Sequence, residues 1–111
     1  MKTALVIEGA PPGATELSAD LAAVGIRVLG ASARNNLVRD AIRLAPDVIV
    51  GHTASVDDAL FEACTQLAAT APCAVAMFTN DPDAAKIERA LRAGMHAYVV
   101  NGYGLNRLRS V

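Results

Sequence analysis

The stretch Ala74-Val75-Ala76-Met77-Phe78-Thr79, followed by Asn80-Asp81-Pro82-Asp83, a helix-patterned run closing on Ala93-Gly94, and then Ala97-Tyr98-Val99-Val100, decides the fold class. Two short apolar runs flank one amphipathic segment. A strand that is apolar at every position is buried on both faces, as a central parallel strand is. Apolar runs and helical periodicities alternate five times along the chain, and this predicts a parallel sheet flanked by helices.

Working outward, Ala4 to Ile7 reads as the first strand, and Leu17, Leu21 and Val24 recur at helical spacing until Gly25 offers a left-handed cap. Arg27 to Ala31 is a second strand, followed by a helix with Leu37, Val38, Ala41 and Ile42 on one face and Pro46 as its stop. Val48 to Gly51 is the third strand, with His52 just past it. Ser55 and Asp58 have the S-x-x-D spacing of a capping box, opening a helix whose apolar face is Leu60, Cys64, Leu67 and Ala68. Ala74 to Phe78 is the fourth strand, Pro82 to Ala93 the fourth helix with Ile87 and Leu91 inward and Gly94 as its cap, and Ala97 to Val100 the fifth strand. Leu105, Leu108 and Val111 carry helical spacing to the last residue. The expectation is therefore a single domain over residues 1–111, cut within its last helix, with a further domain beyond it.

The 111 residues suffice for one core. With 53% hydrophobic residues and only two phenylalanines, that core is made of Ala, Val, Leu and Ile. Ten Lys and Arg are scattered among eleven acids for a net charge of −1. No basic footprint results, so nucleic-acid binding by this chain alone is not expected. Cys64 and Cys73 lack a C-x-x-C pair or metal-ligand spacing, which fits reduced thiols. The opening apolar run is stopped by Glu8, too soon for a signal sequence or a membrane span. A soluble, cytoplasmic protein without membrane contact is expected.

In a doubly wound sheet the ligand crevice lies at the carboxyl ends of the strands. The residues just past strands one, three, four and five are Glu8 with Gly9, His52 with Thr53, Thr79 with Asn80, and Asn101 with Gly102. Together with Pro46-Asp47-Val48-Ile49-Val50-Gly51, the threonine Thr79, the Ala93-Gly94 turn and the aromatic Tyr98, they give the chain from Leu5 to Leu108 its likeness. It resembles the receiver domain of two-component response regulators, the flavodoxin-like or CheY-like α/β fold. The resemblance implies a doubly wound, five-stranded parallel sheet of order 2-1-3-4-5 with helices on both faces.

A working receiver, as the resemblance implies, uses two acids after strand one, an aspartate after strand three, a Thr or Ser after strand four and a lysine after strand five. At those positions this chain has Glu8 and Gly9, His52, Thr79 and Asn101. Only the threonine is retained unchanged. Magnesium needs hard oxygen ligands in an octahedral set, and phosphoryl transfer needs the metal's charge, so one carboxylate does not build the site. Each lost charge-assisted contact removes roughly 1.5–3 kcal/mol, leaving little to bias two conformations. No catalytic residue, metal or cofactor is therefore expected, and the chain is not expected to be an enzyme. The resemblance also implies that Thr79 and Tyr98 report the pocket's state together.

Other readings attach to the same residues. His52 paired with Glu8 would have a raised pKa and give a pH-sensitive contact or a ligand crevice; otherwise it fills a disused pocket. His96, before the fifth strand, is too far across the sheet to share a metal with His52. The loop Gly9-Ala10-Pro11-Pro12-Gly13-Ala14-Thr15 lacks the lysine and glycine spacing of a phosphate loop, and Gly102-Tyr103-Gly104 reads as a turn. Asn80, Asp81 and Asp83 read as a cap for the fourth helix, and Thr79 as a turn residue.

Degenerate receivers include the N-terminal domains of AmiR/NasT-type (ANTAR) transcription antiterminators, and the chain is similar to these in Met77-Phe78-Thr79-Asn80-Asp81 and Ala97-Tyr98-Val99-Val100. The resemblance implies a phosphorylation-independent regulatory and dimerisation module. Its protein partner or second copy would dock on the fourth helix with Ile87, the fifth strand with Tyr98, and the fifth helix. RNA would be bound only through a missing C-terminal domain. The alternatives are a small flavodoxin-like ligand-binding domain or enzyme using the Glu8 and His52 crevice, and the receiver of a DNA-binding regulator.

Overall fold

The computed structural model describes residues 2–9, 17–70 and 73–100. Along the chain these form β1 (Thr3–Ile7), α1 (Leu17–Ala23), β2 (Arg27–Ser32), a 3-10 turn (Arg34–Asn36), α2 (Leu37–Leu44), β3 (Val48–Thr53), α3 (Asp58–Thr70), β4 (Ala74–Thr79), α4 (Ala84–Arg92) and β5 (Ala97–Val100). The strands pair in parallel in the order β2-β1-β3-β4-β5. Among the described residues no helix is long and apolar enough to cross a membrane.

Continuous apolar character follows from this order. Every residue of β3 is buried, because β1 and β4 flank it and helices cover both faces. Successive side chains alternate between two cores. On one side Leu5, Ile7, Ile49, Val75 and Met77 pack against α2, α3 and α4; on the other Ala4, Val6, Val48, Val50 and Phe78 pack against Leu17 and Leu21 of α1. Asp47 ties the amino ends together, its carboxylate accepting from the Thr3 N–H at 2.7 Å and hydroxyl at 3.0 Å.

The glycine caps form as the sequence predicts: Gly25 and Gly94 take φ values of 83° and 87°. Strands β1, β2, β3 and β4 are longer than expected, and β3 takes in His52 and Thr53, which therefore lie within the ladder and not past it.

Several helix faces are corrected. Ile42 and Leu91, expected inward, are 59% and 67% exposed, and Ala68 is exposed as well. In α4 the buried contacts fall to Ala90, with Ala93 just beyond the helix, while Ile87 is half-buried. Ala90 and Ala93 take the inward positions of this segment, and Leu91, between them, faces solvent. In α3, Phe61 and Ala63 join Leu60, Cys64 and Leu67 in the core. The Ser55/Asp58 capping box does not form: Asp57 caps α3, accepting from the Leu60 N–H at 3.0 Å. The segment from Leu105 to Val111, the loop from Ala10 to Thr15 and Gly102-Tyr103-Gly104 lie outside the described residues.

Candidate functional site

The carboxyl edge of the sheet gathers the marked residues. The β1–β3 pairing ends with Val6 beside Val50 and Ile7 beside Gly51, one residue short of Glu8 and His52, while His52 pairs with Phe78 and Thr53 with Thr79. Gly9 takes a φ of 104°, a turn conformation that a side chain would strain. Asn101 lies outside the described residues.

His52 alternates with Val48 and Val50 on the α1 side of β3 and is 8% exposed. Burial pushes its pKa below the ordinary value. This corrects the paired reading, in which Glu8 would have raised it. Glu8 is exposed, and its N–H donates to the Ser32 carbonyl at 2.9 Å.

Thr79 is buried and engaged in a turn. Its hydroxyl donates to the Ala54 carbonyl at 3.1 Å and accepts from the Asp81 N–H at 3.2 Å. Asp83 caps α4, accepting from the Ala85 N–H at 2.9 Å, as the polar loop predicts. Tyr98 pairs with Met77 in the ladder, and its phenol is raised by burial and then by the nearby Asp81 carboxylate.

Two cations that sequence reading missed hold the β3–α3 loop from opposite sides. Arg34, in the turn after β2, donates to the Asp57 carboxylate at 2.5 Å, the Thr53 hydroxyl at 2.7 Å and the Ser55 carbonyl at 3.4 Å. Its Nη2 would lie 3.7 Å from a Cβ placed on Gly9. From the other side, Lys86 of α4 donates to Ser55 Oγ at 2.6 Å and to Asp81 at 2.7 Å, and Ser55 Oγ donates to Asp81 at 3.0 Å. Burial raises the Asp57 carboxyl, but the Leu60 N–H and the Arg34 guanidinium more than offset this and hold it below the usual range. Lys86, then the Asp83 N–H and the Ser55 hydroxyl, do the same to Asp81. The sequence reading gathered residues past strands one, three, four and five; the signal it omitted was a cation just past strand two.

The residues do not suit the divalent cation that the resemblance implies. Glycine and histidine stand at two positions where the resemblance implies oxygen ligands, and a guanidinium lies beside Gly9. Among the described residues no group of three or more His, Cys, Asp or Glu could bind a metal. His96 is occupied elsewhere, its Nδ1 accepting from the Val75 N–H at 3.2 Å.

No protein-family model and no curated protein matches the chain. Solved structures do. The signal receiver domain of a modulated diguanylate cyclase from Desulfovibrio desulfuricans superposes with a TM-score of 0.78 at 24% identity, over 97% of this chain and 87% of that one. The chemotaxis protein CheY4 of Vibrio cholerae gives 0.79 at 17% identity, over 99% and 94%. The chain has the receiver fold. A pilus assembly-related protein from Burkholderia pseudomallei shares this fold, with a TM-score of 0.83 at 21% identity over 99% of this chain and 85% of that one. The sheet order 2-1-3-4-5 and helices on both faces match the receiver fold, as the sequence predicts.

Proposed function

We propose that this chain is a regulatory receiver module that signals by protein docking, without phosphoryl transfer. The observation carrying this reading is the occupant of the crevice: a buried, neutral-leaning His52 stands at the acceptor position, and the Arg34 guanidinium lies beside Gly9. An imidazole favoured in its neutral form and a guanidinium cannot supply the oxygen ligands that phosphoryl transfer to a carboxylate requires. The docking face is α4 with Ile87 and Leu91, β5 with Tyr98, and the segment that follows. It receives a protein partner or a second copy in the cytoplasm. In the antiterminator version, RNA binding belongs to a further C-terminal domain; the wording Met77-Phe78-Thr79-Asn80-Asp81 supports it.

The test is incubation with acetyl phosphate and magnesium, and separately with beryllofluoride and magnesium, followed by intact mass and sedimentation. Unchanged mass and unchanged sedimentation are expected. A phosphoryl adduct or a magnesium-dependent shift in assembly would overturn the reading.

A second version is favoured by the TM-score of 0.83 with the Burkholderia pseudomallei pilus-related structure. Here the module is an adaptor inside a larger cell-surface assembly protein, with the same inert crevice and the same docking face. The sequence of the full natural protein separates the two: an RNA-binding helical domain supports the first, a domain of the pilus-assembly protein's kind the second.

A further inference from the structure

Thr53, Ser55 and Asp57 present a hydroxyl, a carbonyl and a carboxylate from alternate residues of one loop, and all three accept from Arg34. Alternate oxygen donors from a short loop are one part of a hard-cation site, in which water completes the ligand set. The Thr53 hydroxyl donates its own proton to the Ser55 carbonyl at 2.9 Å, which leaves its lone pairs facing the guanidinium. We propose that residues 53–57 form a cation loop whose resident cation is the chain's own Arg34, so that the crevice is closed to divalent ions from within.

Three observations support this. The Arg34 side chain is only 23% exposed, so it fills the loop and does not merely lie across it. It also reaches Gly9, where its Nη2 would lie in ordinary contact, 3.7 Å, with a Cβ placed on that residue. The Asp57 carboxylate is held charged by the Leu60 N–H and by Arg34, the condition a metal ligand must also meet. A tethered cation has no dissociation step, so the loop's arrangement does not vary with ion concentration. This deepens the docking reading and rests on it, because a crevice permanently filled from inside cannot take part in a metal-dependent switch.

The ion is displaced by removing the guanidinium. Asp57 is 52% exposed, so Arg34→Ala leaves no buried unpaired charge and the fold should persist. Wild type, Arg34→Ala and Arg34→Gln are melted in magnesium or calcium chloride at about 10 mM, against sodium chloride of equal ionic strength, with no phosphodonor present. A site with a dissociation constant of about 1 mM then raises the melting temperature by about 4 °C or more. Both variants are expected to respond, the wild type not to, and Asp57→Asn added to either variant to abolish the response. A variant that folds only with the ion supports the inference equally. Variants as indifferent as wild type, a wild type that responds as they do, or variants unfolded in every buffer overturn it. An indifferent variant beside a wild type inert to acetyl phosphate sinks this inference alone; a phosphorylated wild type sinks the docking reading.

Discussion

His52 couples the candidate site to stability through its proton. Its pKa in the folded chain is pushed below the roughly 6.5 of an unfolded histidine, so the unfolded state binds more protons as the medium acidifies. Stability is therefore full above about pH 6.5, falls as pH drops through the folded pKa, and then levels. Asp40, Asp47, Asp57 and Asp81 are depressed from about 3.8, so their contribution is present above that value and lost as pH falls through their folded values. Urea midpoints measured against pH should show two descents, and His52→Gln should remove the upper one only; a persisting upper descent would place its source elsewhere. Beside it, Gly51 has no room for a side chain: a Cβ would lie 2.8 Å from Met77 Cε and 3.1 Å from Ile7 Cδ1. Gly51→Ala should cost about 1–3 kcal/mol, at the lower end because the end of Met77 can turn. Equal urea midpoints for variant and wild type would show that Met77 moves aside freely.

At the level of elements, the sequence disclosed what depends on local pattern. Apolar runs marked all five strands, glycines marked the ends of α1 and α4, and the polar run Asn80, Asp81, Asp83 held the cap of α4, which starts at Ala84 and not at Pro82. It failed where the deciding contact is distant. Ser55 had the spacing of a cap, yet its hydroxyl serves Asp81 and Lys86, 26 and 31 residues away. Arg34 reaches partners 19 to 23 residues on, so nothing nearby in the chain announced it. Leu91 failed for another reason: size was taken for burial, whereas Ala90 makes the inward contact of α4. Two predictions separate these roles. Asp83→Ala, losing a cap, should cost about 1 kcal/mol in a denaturant melt. Leu91→Glu should change stability by less than about 0.5 kcal/mol, since its side chain faces solvent. If α4 is the docking face, the same change should abolish partner binding or self-association, read by sedimentation. A large loss of stability would instead mean that Leu91 belongs to the core.

For the whole molecule, the sheet order sets a gradient of order from its centre to its edges. β1, β3 and β4 carry neighbours on both sides, whereas β2 and β5 are edges with half-exposed residues. An edge opens without breaking the rest of the sheet, at a free energy below that of global unfolding. Amide hydrogen exchange should therefore be slowest in β1, β3 and β4, and faster in β5, the strand proposed for docking. The network around Ser55 ties the β3–α3 loop to both the turn after β2 and the start of α4, so these loop amides should exchange more slowly than their surface position suggests. Arg34→Ala should loosen the β2 side of this network and leave the Lys86 side protected. A partner docked on α4 and β5 should raise protection in β5 toward that of β4. Equal protection across all five strands in the free chain would remove the basis for an adaptable edge, because a strand already as closed as the centre has no opening equilibrium for a partner to shift.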